Sequence, residues 1–271
     1  MANSRILGAW VPGLPHILKP TLNENYKLLS EAMTTVGRTF HEQGVSRILY
    51  YSTQWLSVLG QSVQTKETLR GSHVDENWYD FGSLDFSFKT DLLMANAVAD
   101  GLSKNGFQTK KINFEGFPID TGTIVANKLV NPNQLPTGTL SCCVYSDFLE
   151  TVNLGQSAKS SLENLGGTSA VVVVSGLSGR YFTTEIDPRE DHISSREDDV
   201  WNKKILALMS EGRWDEVYKI KDQYCKEAKV DMGFKALAFL EGLGLIEKGR
   251  TLKTLAYGPV YGTGASVMMA H

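Results

Sequence analysis

Ala170-Val-Val-Val-Val-Ser175 is apolar at every position before its closing serine. Apolar and polar residues do not alternate along it, so both faces of this run must be covered. That is the pattern of a strand inside a sheet with helices on both sides. The runs Ile6–Val11, Ile48–Ser52 and Leu140–Tyr145 read the same way. Between them lie amphipathic stretches at Leu22–Gln43, Thr90–Asn105 and Asp147–Leu165. In the first, Leu28, Leu29, Met33, Val36 and Phe40 recur at helical spacing. After Asp187-Pro188 the period is helical over Asp198–Glu211, Trp214–Tyr218 and Tyr224–Leu243, and Leu252–Val260 returns to strand. No repeat, low-complexity tract or linker interrupts the alternation. The pattern predicts an α/β fold, a single domain over residues 1–271 with a central twisted, largely buried sheet flanked by helices.

Composition narrows the function. A chain of 271 residues with 42% apolar side chains can bury a full core. A net charge of −3 with no basic block argues against a nucleic-acid partner. No apolar run is long enough to cross a bilayer, and the N-terminus lacks the apolar core of a signal peptide. The expectation is a soluble, cytoplasmic protein without membrane contact. Three cysteines, with Cys142 and Cys143 adjacent, make neither a disulfide framework nor zinc spacing, and buried thiols are expected in that strand-like run.

The residues with chemical potential stand at strand ends. Pro12-Gly-Leu-Pro-His16 follows the first strand, Thr53-Gln54-Trp55 follows the second, and Asp231 and Phe239 share a late helical stretch. Such positions suit a two-histidine, one-carboxylate iron site, which leaves coordination positions open for substrate and oxygen. The five histidines are His16, His41, His73, His192 and His271, and none forms a local HxH, HxxxH or HExxH pattern. His41 falls on the polar side of the first helix's end and His271 is the last residue, which leaves His16, His73 and His192. Taken alone, His16 reads as a hydrogen-bonded loop histidine. The acidic stretch from Glu185 to Asp199 reads as a solvated loop and a helix N-terminus, where carboxylates are favoured. Tyr257-Gly-Pro-Val-Tyr-Gly-Thr-Gly264 lacks the lysine of a phosphate-binding loop and reads as a strand ending in a tight turn.

In order and spacing, five segments resemble the class II extradiol ring-cleaving dioxygenases, the family of the protocatechuate 4,5-dioxygenase catalytic subunit. They are Val11–His16, Ser52–Trp55, Val174–Gly179, Val230–Phe239 and Tyr257–Gly264, and together they span nearly the whole chain. The likeness is greatest to the aminophenol-cleaving branch, whose members pair two similar subunits. Family members carry their first iron histidine where His16 stands. Their second histidine precedes a tryptophan, and here Gln54 precedes Trp55. Their glutamate ligand lies on a helix ahead of a tryptophan, at the interval that separates Asp231 from Phe239. Their proton-transfer histidine follows a serine, and here Gly179 follows Ser178.

The resemblance therefore implies a vestigial site, His16, Gln54 and Asp231, with degenerate catalytic positions at Gln54 and Gly179. A glutamine amide oxygen is a weak Fe(II) ligand, aspartate is a methylene shorter than glutamate, and glycine transfers no proton. The implied role is a non-catalytic α subunit. It holds no metal and pairs with a homologous β subunit that carries Fe(II), as two α and two β chains. Arg180 and Trp55 are candidates to line the remaining pocket. Two other readings stay open. One is a stand-alone metalloenzyme using His16, Asp231 or the neighbouring Glu227, and a loop histidine, His73 or His192. The other is a module that binds small aromatic molecules without chemistry.

Overall fold

The computed structural model describes residues 4–271. Its strands are β1 (Arg5–Val11), β2 (Arg47–Ser57), β3 (Gln61–Gln64), β4 (Thr68–His73), β5 (Leu84–Lys89), β6 (Thr109–Ile112), β7 (Thr137–Cys143), β8 (Thr168–Val174), β9 (Leu252–Val260) and β10 (Thr263–Ala270). Its helices are α1 (Glu24–Glu42), α2 (Leu92–Lys104), α3 (Thr121–Val130), α4 (Phe148–Leu165), α5 (Arg196–Ser210), α6 (Trp214–Glu227) and α7 (Lys235–Gly242). Eight strands form one sheet in the order β6-β3-β7-β2-β8-β1-β10-β9, and β4 and β5 make a separate hairpin. The valine run is the heart of the sheet: β8 lies between β1 and β2 and is parallel to both.

Its lack of alternation has the expected cause. Val171 and Val173, with Trp10 of β1, face a core shared with α2, α4 and the C-terminal helices. Ala170, Val172 and Val174, with Ala9 and Val11, face a second core under α1 and α3. Side chains still alternate between faces, and each face buries them. Helix starts are fixed by short polar side chains. Asn23 caps α1, Asp120 caps α3, and Asp147 forms a reciprocal capping box with Glu150 on α4. The α/β fold read from the sequence is the fold observed.

Several local readings change. Leu28 is 47% exposed; the buried stripe of α1 is Tyr26, Leu29, Met33, Val36 and Phe40. The helix expected over Tyr224–Leu243 is two helices. α6 continues past Tyr218 to Glu227, and then Lys229, Met232, Gly233 and Phe234 take positive φ, so the chain turns before α7. A bridge between Ser178 and Val230 pins that turn to the end of β8. Asp231 therefore opens a short 3-10 turn, Asp231–Phe234, and is not on an α-helix. β2 runs on to Ser57, with a register shift between Ser52 and Leu56 that bulges Thr53–Trp55 out of the ladder. The acidic stretch is only partly solvated. Asp191 is buried and accepts from the Tyr26 hydroxyl and from the backbone N–H groups of Tyr261 and Gly262. Asp198 is buried against Arg180. Cys142 and Cys143 are free and buried, as expected. The glycine-rich segment is the β9–β10 hairpin, turning at Tyr261 and Gly262, both at positive φ. β3, β6, β10, α3 and the β4–β5 hairpin had no reading in the sequence.

Candidate functional site

The carboxyl ends of β1, β2 and β8 open onto a cavity of about 540 Å3. Strand ends of this kind are where α/β sheets hold ligands. Gly13 after β1, Gln54 on the β2 bulge, Gly176 after β8, Asp120 at the start of α3 and Asp231 on its turn all line it. The segment after β4 closes one side with Asp75 and Trp78.

Asp231 is held by its own chain. Its Oδ2 accepts from Thr53 Oγ1 at 2.7 Å, from Ser175 Oγ at 2.8 Å and from the Gly176 N–H at 3.0 Å. Its backbone N–H donates to Leu177 O at 2.9 Å. The carboxylate thus ties β2, β8 and the turn together.

His16 lies in the short 3-10 turn Pro15–Leu18, where Pro15 fixes the backbone, and it is 1% exposed. Four aromatic rings surround it, with centroids at 4.5 Å for Phe81, 4.8 Å for Trp78, 5.4 Å for Tyr261 and 5.8 Å for Tyr26. Neither ring nitrogen has a hydrogen-bond partner, so the hydrogen-bonded loop histidine of the sequence reading does not form. Burial lowers its pKa to about 4, against the opposing pull of Asp80 and Asp75. His16 is not part of the cavity lining, whereas Trp78, which packs edge-on to it, is.

Gln54 fills the space between two backbones. A Cβ on Gly122 would come within 2.7 Å of its Oε1, and one on Gly13 within 2.8 Å of its Nε2. Gly179 is a close-approach glycine as well. A Cβ there would lie 2.4 Å from Lys229 O, so the position has neither a proton donor nor room for one. Arg180 and Trp55, expected to line the pocket, lie outside its lining. Arg180 Nε pairs with Asp198, and its NH2 donates to Glu227 O, because the Ser178–Val230 bridge aims the next residues toward α5 and α6. Trp55 packs edge-on to Phe117. Glu227 accepts from Trp201 Nε1 and Gln223 Nε2 on the protein surface. His192 is exposed and bonds Glu190 O, whereas His73 does reach the cavity and bonds Thr121 Oγ1.

These residues do not fit Fe(II). Three donors point their hydrogens at Asp231 Oδ2, and the Gly176 N–H cannot turn away, so that oxygen is committed to the protein. The imidazole of His16 is enclosed by aromatic rings and is not part of the lining to which Asp231 belongs. Among the described residues, no three His, Cys, Asp or Glu side chains stand close enough together to hold a metal ion.

Sequence reasoning passed over Thr53, Ser175, Asp120, Thr121 and Trp78. Asp120 had a signal in Asp-Thr-Gly-Thr123, the pattern of a helix cap; its side chain accepts from the Thr123 N–H and from Ser52 Oγ. Enclosure of that carboxyl pushes its pKa up, and these hydrogen bonds oppose the shift. The others had no local signal.

Residues 9–268 match the family model described as the catalytic LigB subunit of aromatic ring-opening dioxygenase. The chain is 38% identical over 265 residues to a 2-aminophenol 1,6-dioxygenase alpha subunit from a Pseudomonas species, covering 95% of this chain and 96% of that one. It is 24% identical over 289 residues to a 2-aminophenol 1,6-dioxygenase beta subunit from a Pseudomonas species, covering 99% of this chain and 94% of that one. The crystal structure of an uncharacterized Escherichia coli K12 protein superposes with a TM-score of 0.67 at 12% identity, over 98% of this chain and 99% of that one. That last likeness is one of fold alone.

Proposed function

The chain belongs to the LigB family of aromatic ring-opening dioxygenases, and from that premise we propose that it is a non-catalytic subunit of a heteromeric extradiol dioxygenase. In this reading the chemistry sits in a homologous β-type chain with an intact two-histidine, one-glutamate Fe(II) site. The assembly opens the ring of 2-aminophenol to 2-aminomuconic 6-semialdehyde, and two copies of each chain form a heterotetramer. The substrate and the paired architecture rest on the similarity to the alpha and beta subunits.

The observation that carries the non-catalytic part is the saturated Asp231 Oδ2, bonded by Thr53, Ser175 and Gly176. A metal ligand can also accept a hydrogen bond, so the reading rests on three donors at one oxygen together with Gln54 and the enclosed His16. Here the same oxygen knits three segments of backbone, a structural use of an old chemical position. Gly179, with no space for any side chain, removes the proton relay in the same way. A fold kept without chemistry is useful through its surface, because a partner that binds only the folded form stabilises it.

The test is co-expression with a β-type chain, followed by sizing and elemental analysis of each separated subunit. The expected result is a stable mixed complex with iron in the β chain alone. Stoichiometric iron and ring-cleaving turnover in this chain by itself would refute the reading. The persistence of a cavity of about 540 Å3 favours one addition, retained binding of a small aromatic molecule. A thermal shift of the isolated chain with 2-aminophenol measures it.

A further inference from the structure

The hairpin β4–β5 stands apart from the main sheet, and the segment between its strands, 74–83, reaches back over the cavity. The base of the hairpin is well packed: Leu69, Leu84 and Phe88 are buried with Ile119 and Ile124. The tip is not. Val74, Glu76, Asn77, Tyr79, Asp80, Gly82 and Ser83 are exposed. Its hydrogen bonds are mostly its own: Asp75 Oδ1 accepts from the N–H groups of Asn77 and Trp78, and the Phe81 N–H donates to Trp78 O. Among the described residues, one hydrogen bond ties it to the body, from Thr121 Oγ1 to Asp75 Oδ2. The same hydroxyl oxygen is 2.8 Å from His73 Nε2 at the end of β4. Its hydrogen goes to Asp75, so the imidazole is the donor in that second bond. Thr121, the first residue of α3 and 5% exposed, thereby holds both the strand end and the tip.

Two rings of the tip face inward. Trp78 and Phe81 lie over His16, whose two nitrogens are buried and unpaired. Trp78 also contributes to the cavity lining. One turn of chain thus separates an unpaired imidazole from a polar cavity. Closed, the tip half-buries two rings and leaves His16 unsatisfied; an open tip would satisfy His16 at the cost of exposing the rings. Neither arrangement meets both demands, which is the condition for a segment with two states.

We propose that 74–83 is a lid on the cavity, latched by Thr121 through Asp75, and that its opening makes the His16 imidazole part of the cavity wall, free to hydrogen-bond a small polar ligand. The lid needs no metal and no reaction, so it stands or falls separately from the subunit role.

Diethyl pyrocarbonate acylates accessible imidazoles, and peptide mass spectrometry of the full chain resolves the five histidines. In the parent, His16 reacts more slowly than the exposed His41 and His192. Thr121→Val keeps the side-chain shape and deletes the latch. It speeds His16 modification about tenfold, the scale of one lost hydrogen bond to a carboxylate, while the β8 amides keep their hydrogen-exchange protection. Trp78→Ala removes one of the two lid rings over His16 and speeds its modification severalfold, whether or not the Thr121 variant folds. An unchanged His16 rate in Thr121→Val removes the latch and with it the proposal. So does a His16 in Trp78→Ala that stays as slow as in the parent. Reactivity that rises only in step with loss of β8 protection also overturns it, because global unfolding alone would then release His16.

Discussion

Replacing Asp231 by alanine deletes the acceptor of three hydrogen bonds, from Thr53 Oγ1, Ser175 Oγ and the Gly176 N–H. The three donors are not equally affected. Thr53 Oγ1 also lies 3.0 Å from Val174 O, and Ser175 Oγ lies 3.3 Å from Gly176 O, so both hydroxyls have a second acceptor. Each exchanges a charged acceptor for a neutral one, a loss of roughly 0.5–1.5 kcal/mol apiece. The Gly176 N–H has no such alternative, and a stranded donor costs about 1–3 kcal/mol, at the lower end here because Gly176 is only half-buried. The sum is about 2–4 kcal/mol. With a urea m-value of roughly 2–3 kcal/mol/M, the unfolding midpoint falls by about 1 M at unchanged slope. Asp231→Asn keeps an acceptor oxygen in place and loses only the charge, so its shift is less than half as large. The sign is the decisive feature. A carboxylate preserved as an empty metal ligand would be under-compensated, and its removal would stabilise the chain. If Asp231→Ala matches or exceeds the parent in urea, the structural assignment of Asp231 fails.

Three further outcomes follow from the same geometry. His16 has a pKa near 4 when enclosed and an ordinary value of 6.5 when unfolded, so the unfolded chain binds more protons between those values. Its contribution to stability is therefore complete above about pH 6.5 and is lost as pH falls toward 4, by up to ~3 kcal/mol; His16→Phe, which keeps the ring packing and has no proton to bind, flattens that part of a stability–pH curve, and an unchanged curve would contradict the burial. Gly179→Ala pushes a methyl to 2.4 Å from Lys229 O and splays the Ser178–Val230 bridge, at about 1–3 kcal/mol, so a melting temperature within a degree of the parent's would count against the close approach. Gln54→His with Asp231→Glu returns two strong ligand types, but His16 remains behind Trp78 and Phe81, so iron by elemental analysis rises clearly only when Trp78→Ala is added; equal iron in the double and triple variants would mean that the lid does not isolate His16.

What could be read in the chain itself was local. The valine run required a doubly covered strand, because covering both faces is the only way to remove an unbroken apolar run from water. Asp147 opens α4 where the amphipathic stretch was read to begin, because a cap acts within three residues of itself, whereas the same signal at Asp120 went unread. The ordered motifs around His16, Gln54, Gly179 and Asp231 were enough to place the chain among the aromatic ring-opening dioxygenases. The short, charged β6, Thr-Lys-Lys-Ile, carried no such signal, since its strand state comes from pairing with β3. The uses of the site residues were likewise beyond local reading. Asp231 became a structural acceptor through Thr53, which is 178 positions away in the chain. His16 was sealed by Trp78 and Phe81 from a hairpin outside the main sheet, and Arg180 was drawn off to Asp198 by the bridge at Val230. Periodicity acts over a turn or two of chain, so the sequence by itself determined the central strands, the long helices and the family. Which donor meets which acceptor depends on how distant segments pack, and only the tertiary structure decided that.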